Sequence, residues 1–291
     1  MNQFAEKALK ITVLGGTGFI GRHLVKYLQQ QNHEVSAYGR SVFVSQTNLI
    51  KAVDGADVLI NLTGENIGKR WNQAYKKALV DSRLETAKQL QQALNECKDR
   101  PTRILAASAI GIYPQNRCDN LVDERCALAE DGFLGELGQA WEQATLSLEP
   151  SPTIMRFGVV LGTDGGALQK MLPAFKLGLG GPVASGEQCF SWIHIDDLVR
   201  AISFLINHNE PKPVYNFTAP HPLTNKEFGQ ALSNVLHRPF WLPLPLWQLK
   251  LMFGEGAQVL THSSAVVPTY LLEEGFQFRF ETANSALEDL L

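Results

Sequence analysis

No stretch of this 291-residue chain strings together the roughly 18 apolar residues that a bilayer-crossing helix needs. A helical membrane span is therefore excluded, and no membrane partner is expected. The opening Met1–Lys7 lacks the basic-then-apolar order of a secretory leader. Cysteine is scarce. Cys97, Cys118, Cys126 and Cys189 are the only four, with no C-x-x-C spacing. They read as reduced thiols of a cytoplasmic protein. Positive charge is not in excess: 26 Lys plus Arg face 29 Asp plus Glu, a formal net charge of −3. That balance argues against a nucleic-acid surface. No Ser-His-Asp order, metal-ligand spacing, internal repeat or low-complexity tract stands out.

Glycine, by contrast, is abundant at 24 residues, and three are placed with purpose. Lys10–Leu14 is a short apolar run. Gly15-Gly16-Thr17-Gly18-Phe19-Ile20-Gly21 follows, and then the helix-like His23–Leu28. A strand, a glycine turn and a helix in that order make a phosphate site. Glycine permits the tight turn, lets the backbone approach a pyrophosphate and lets the helix pack on the sheet. The helix N-terminus then offers free N–H groups. The G-x-x-G-x-x-G spacing predicts a dinucleotide cradle built from Gly15, Thr17, Gly18, Phe19, Ile20 and Gly21.

Apolar runs at 11–14, 35–38, 58–61, 104–107 and 153–160 read as strands. They alternate with helical runs at 22–30, 71–94 and 134–148. Alternation of this kind predicts right-handed βαβ units and a doubly wound, Rossmann-type parallel α/β sheet. Too few residues separate Arg40 from Asp57 for a full unit. That side of the sheet is expected to be trimmed to a short helix at 49–53 and a stub of strand at Phe43. A glycine-broken region follows 160, with short helices at 171–177 and at 196–207, the latter capped by Asp196 or Asp197. We read residues 9–160 as the cofactor domain, with 190–215 returning to it. The rest of 161–291 forms a smaller substrate-side, C-terminal domain.

The residues after the second strand address the cofactor. An NAD enzyme usually places Asp or Glu there for the ribose 2′-OH. This chain has Gly39-Arg40-Ser41 instead, a cation and a hydroxyl suited to a 2′-phosphate, so NADP is expected. The next strand ends in Leu62, Thr63 and Gly64, small enough for a cofactor to lie across it. Arg83, by spacing alone, reads as part of a solvated helix face. Lys69, Arg70, Lys76 and Lys77 form a basic cluster that could draw an anionic small-molecule substrate.

Several strings together make a more specific likeness. They are Asn61-Leu62-Thr63-Gly64-Glu65-Asn66-Ile67, Lys69-Arg70-Trp71, Ser82-Arg83, Leu177-Gly178-Leu179-Gly180-Gly181-Pro182 and Trp192-Ile193-His194-Ile195-Asp196-Asp197. With the tail from 236 onward, they resemble an atypical subgroup of the extended short-chain dehydrogenases/reductases known as epimerase family proteins. The resemblance implies a Rossmann-type fold, NADP, and cofactor contacts from Gly39, Arg40, Leu62, Thr63 and Arg83, with Val160 near the nicotinamide end. It also implies homodimers built through helices 71–94 and 134–148.

Ordinary members carry a Ser and then Tyr-x-x-x-Lys on a helix. Tyrosine moves the proton, and lysine keeps it acidic enough to do so. Here Ser108 ends a strand at the right place, but Phe133–Glu142 holds neither Tyr nor Lys. Ser108 and Tyr113 are the candidate catalytic pair. His194 reads rather as a structural residue, and Glu136 as an exposed helical glutamate. Three functions follow from this pattern. The first is an NADP-dependent oxidoreductase acting on a small or sugar-nucleotide-like carbonyl or alcohol. The second is a nucleotide-sugar-type epimerase or dehydratase, and the third a non-catalytic NADP-binding redox sensor.

Overall fold

In the computed structural model, which describes residues 8–291, apolar runs and amphipathic runs alternate along the chain. The order is β1 (Lys10–Leu14), α1 (Phe19–Gln30), β2 (Glu34–Tyr38), α2 (Gln46–Val53), β3 (Val58–Asn61), α3 (Gln73–Glu96), β4 (Arg103–Ala109), α4 (Phe133–Leu146) and β5 (Thr153–Phe157). Then come β6 (Val159–Leu161), α5 (Gly166–Lys176), β7 (Cys189–Phe190), β8 (Trp192–His194), α6 (Ile195–Asn207) and β9 (Val214–Phe217). The C-terminal part adds β10 (Leu223–Thr224), α7 (Asn225–Val235), α8 (Leu246–Phe253), α9 (Gln258–Thr261), α10 (Thr269–Glu273) and α11 (Ala283–Leu290). Met1–Lys7, expected to be no secretory leader, lies outside the described residues. Among the described residues no helix is long and apolar enough to cross a membrane.

Six parallel strands in the order β2-β1-β3-β4-β5-β9 form the central sheet. Every residue of β3 is buried, as a parallel strand covered on both faces should be. On one face α1 and α6 join the core through Leu24, Leu28, Leu198, Ile202 and Leu205. A second cluster draws Leu49 and Val53 of α2 and Leu90 and Leu94 of α3 against Leu59 and Ile104. A third core, including Trp192, Phe228, Leu232 and Leu287, sits in the C-terminal helical part. The architecture is the expected Rossmann-like α/β sheet with a C-terminal helical domain.

The sheet is trimmed at its β2 edge, but Phe43 is no strand stub. It lies in a 3-10 turn, Arg40–Val44. Buried Val42 joins the cluster around Leu49, which pulls the segment under α2 instead of extending it. The strand expected over 153–160 breaks in two at Gly158. A Cβ there would stand 2.8 Å from the Ser191 carbonyl oxygen and 2.9 Å from the Thr218 methyl. The chain therefore passes through a close crossing, after which β6 pairs with β8. The cap of α6 is His194, whose Nδ1 accepts the Asp196 N–H at 3.0 Å. Asp197, fully buried, instead accepts the N–H groups of Arg279 and Phe280.

The cysteine reading needs a correction. Cys118 and Cys189 form a disulfide across 71 residues, and only Cys97 and Cys126 are free. The loop after β4 is laid against β7 by hydrogen bonds in which the Ser263 hydroxyl accepts from the Cys189 N–H and the Ser263 carbonyl accepts from the Asn116 N–H. Spacing along the chain carries no trace of that meeting. Thiol titration of the unfolded, unreduced protein is expected to find about two reactive thiols, rising to about four after reduction. Four before reduction would remove the bridge.

Candidate functional site

The glycine turn is built as a cradle. Gly15 has φ +80°, and a Cβ on it would stand 2.9 Å from the Leu62 carbonyl, so a side chain would be strained twice over. At Gly21 a Cβ would come within 2.3 Å of the Gly15 carbonyl oxygen. Only glycine lets α1 start this close to the end of β1. Gly15 and Gly16 both donate to the Tyr38 carbonyl, at 2.8 and 3.1 Å, which fixes the turn to the end of β2. The N-cap is Gly18, with no side-chain cap and no acidic residue in the first turn. The helix thus presents its N-terminal N–H groups and positive dipole end uncompensated. Phe19 is clasped from behind: a Cβ on Gly165 would lie 2.4 Å from its ring.

The predicted neighbours gather at the same strand ends. A Cβ on Gly39 would meet the Thr17 hydroxyl at 2.9 Å, so Arg40 and Ser41 begin their turn beside the cradle. Asn61 Oδ1 accepts from both the Thr63 N–H, at 3.1 Å, and the Thr63 hydroxyl, at 2.6 Å. That Asx turn carries the chain through Leu62 and Thr63 to Gly64. Val160, in β6, is buried beside Ile193 in the core that also takes in Phe19 and Ile20.

Arg83 is not on a solvated face. It follows Leu79 by four residues and precedes Ala87 by four, all three buried, so it lies on the inward stripe of α3. It is 7% exposed. Its Nη1 donates to the Leu79 carbonyl at 2.9 Å, its Nη2 reaches the Glu65 carbonyl at 3.4 Å, and its plane lies over the Trp141 ring at 4.6 Å. Its Nε has no partner among the described residues. Burial pulls the guanidinium down to about 10, with Tyr75 and Glu65 opposing that shift. It stays charged at neutral pH, yet no carboxylate pairs with it among the described residues. A buried cation left this way favours an incoming anion. Together with the open helix N-terminus, it fits a dinucleotide phosphate or ribose.

Glu65 escaped the sequence reading. Its carboxylate takes Arg40 at 2.9 Å, Lys69 at 2.9 Å and the Tyr75 hydroxyl at 3.0 Å. The Lys69 hydrogen bond is the main cause that holds its carboxyl below the ordinary range. The rest of the basic cluster is also engaged: Lys76 with Glu255, Lys77 with Asp81, and Arg70 with the Leu251 carbonyl.

Ser108 and Tyr113 come together, but inside the protein. Strand register sets Ser108 opposite Arg156 and Arg156 opposite Asn216, so the three side chains form a row on one face of the sheet. Glu142 of α4 closes the row. It accepts the Ser108 hydroxyl at 2.6 Å and Arg156 Nε and Nη2 at 2.8 and 2.7 Å. Arg156 Nη1 donates to the Tyr113 hydroxyl, which donates to Asn216 Oδ1 at 2.9 Å. Tyr113, expected as half of the catalytic pair, is fully buried. Burial pushes its phenol up to about 12, away from what a proton-transfer group needs at neutral pH. Glu136 is exposed and His194 serves as the α6 cap. A charged residue inside the strand 153–157 was the available signal, since a buried Arg needs a partner.

Two consequences can be measured. Tyr113 keeps its proton in the folded state above the unfolded value of 10.0, so it contributes stability below about pH 10 that is lost as pH rises toward about 12. The alkaline fall in urea-melt stability should be shallower in Tyr113→Phe; parallel curves would refute the assignment. Arg83→Met should leave the ligand-free protein as stable or about 1 kcal/mol more stable, while weakening dinucleotide binding. Lost stability with unchanged binding would make Arg83 a framework residue.

Sequence comparison agrees with this geometry. A profile of the NAD dependent epimerase/dehydratase family matches residues 11–131, and one for a domain of unknown function (DUF1731) matches residues 244–290. The chain is 35% identical to the chloroplastic epimerase family protein SDR39U1 homolog of Arabidopsis thaliana, over 98% of this chain and 88% of that one. It is 36% identical to epimerase family protein SDR39U1 of Mus musculus, over 97% of this chain and 100% of that one. The crystal structure of human SDR39U1 (isoform2) with NADPH superposes with a TM-score of 0.88 at 33% identity, covering 96% of this chain and 98% of that one. With a Rossmann-like cradle and the C-terminal helical domain in place, the chain belongs to the epimerase family of extended short-chain dehydrogenase/reductase-like proteins.

Proposed function

We propose that the protein is an NADP-dependent oxidoreductase acting on a small or sugar-nucleotide-like carbonyl or alcohol. The observation that carries this reading is the set of cations at the strand ends: buried, carboxylate-free Arg83 beside Gly64, and Arg40 where an NAD site would hold an acid. The solved human relative was crystallised with NADPH, which supports the same cofactor here. Residues 15–21 would receive the pyrophosphate, Arg40 and Ser41 the 2′-phosphate, and Thr63 and Arg83 the ribose or phosphate between. Bound there, the nicotinamide would supply hydride transfer.

The chain's own part is binding and orientation. The Ser108 proton is committed to Glu142 and the Tyr113 proton to Asn216. Both residues lie in a buried network and neither stands free to exchange protons with a substrate. This sealing favours a second reading, a non-catalytic NADP-binding module that reports redox state.

Nicotinamide fluorescence during titration with NADPH and NADH tests the cofactor. Arg40→Ala should lose about tenfold or more in NADPH affinity and little in NADH affinity. Equal binding of both by the wild type would overturn the NADP assignment. A panel of carbonyl substrates with NADPH then separates the two readings. Robust turnover removes the sensor, and no hydride exchange with any member removes the oxidoreductase.

A further inference from the structure

The loop from Leu62 to Trp71 brings one carboxylate among three cations. Glu65 Oε2 holds Arg40 Nη2 at 2.9 Å, Oε1 holds Lys69 Nζ at 2.9 Å, and the Glu65 carbonyl lies 3.4 Å from Arg83 Nη2. The arrangement is unequal. The Glu65 side chain is only 14% exposed, whereas Arg40 is 76% exposed and Lys69 56%. The acid is fixed, held further by the Tyr75 hydroxyl, while the two cations reach in from solvent. A flexible cation held by a rigid internal acid is already partly neutralised before any external anion arrives.

We propose that Glu65 is a specificity-determining residue: its carboxylate acts as an internal counter-ion for Arg40 and Lys69, and a 2′-phosphate must compete with it. The inference rests on the reading that Arg40 meets the 2′-phosphate. It adds that discrimination between phosphorylated and unphosphorylated dinucleotides is set by a pair of opposed charges, not by Arg40 alone. Glu65 weakens the binding of a 2′-phosphate through like-charge repulsion and by occupying its partners. A cofactor with a free 2′-OH adds no charge at this place, and its binding is indifferent to Glu65.

The test uses the full chain and two fragment pairs, 2′,5′-ADP against 5′-ADP and NADPH against NADH, titrated by calorimetry at low and at moderate salt. Glu65→Gln keeps the shape of the side chain and its hydrogen bond to Tyr75 while removing the charge. It should bind 2′,5′-ADP and NADPH about tenfold tighter, with 5′-ADP and NADH changed by less than about twofold and the gain shrinking as salt rises. Glu65→Ala, checked for folding by its melting temperature, should shift the same ratio in the same direction if the glutamine variant is poorly folded. Equal changes for both members of a pair would make Glu65 a structural residue and overturn the proposal. Selective weakening of the 2′-phosphate ligands would overturn it too, because Glu65 would then position Arg40 instead of competing for it. Failure of the Arg40 reading shows separately, as unaltered discrimination in Arg40→Ala, while the glutamine variant is scored on its own ligand ratio.

Discussion

The ion pair between Arg156 and Glu142 is the constraint around which the interior between the sheet and α4 is organised. Both side chains are almost entirely buried, and they meet through two hydrogen bonds. Charges taken out of water to this extent are costly unless paired, and removing one partner from such a pair typically costs about 3–5 kcal/mol. Because Arg156 stands opposite Ser108 on one side and Asn216 on the other, the pair also dictates what its neighbours do. Ser108 becomes a donor to the acid, Tyr113 accepts from the guanidinium, and Asn216 takes the phenolic proton. Glu124 extends the network by accepting the Asn216 N–H. The place where Ser108 and Tyr113 were expected to exchange protons is a satisfied interior.

The loop after β3 is held from the far side by the C-terminal domain. The loop after β3 leaves the sheet, passes Glu65 and meets the start of α3, and on the way Trp71 pairs with the Phe253–Gly254 segment. A Cβ on Gly254 would stand 2.5 Å from the Trp71 carbonyl oxygen, so glycine is what permits the contact. Lys170 of α5 closes the other flank on the Gly68 carbonyl. One loop therefore touches the predicted phosphate contacts, α5 and the segment after α8.

Much of this was legible beforehand, for identifiable reasons. The turn, the order of strands and helices, the trimmed edge and the place of Ser108 follow from local rules: glycine where only glycine fits, and apolar runs of strand length between helical ones. Arg83 needed the periodicity of its helix. The stripe through Leu79, Ala87 and Leu90 already encloses it, but a charged residue in a polar helix reads as solvated until its neighbours are seen. The Cys118–Cys189 bridge, the break at Gly158 and the Glu65 cluster are contacts between segments remote in sequence, and no local pattern reports them. Phe43 and the cap of α6 were misread because a local preference was overridden by the packing of Val42 and by His194.

Helix α4 carries neither Tyr nor Lys, and it carries a buried acid, Glu142. A Tyr-Lys pair brings a cation to the helix face that overlooks the nicotinamide. This chain places its cation in the sheet, at Arg156, and its acid on the helix, so the polarity across that contact is reversed. A reversed pair can be complete only if both groups turn inward, and the distances around Glu142 show that they do. Any chemistry beside this network must work with an electrostatic interior that is already closed, with Arg40 and Lys69 already shared with Glu65, and with a buried Arg83 that has no carboxylate partner among the described residues.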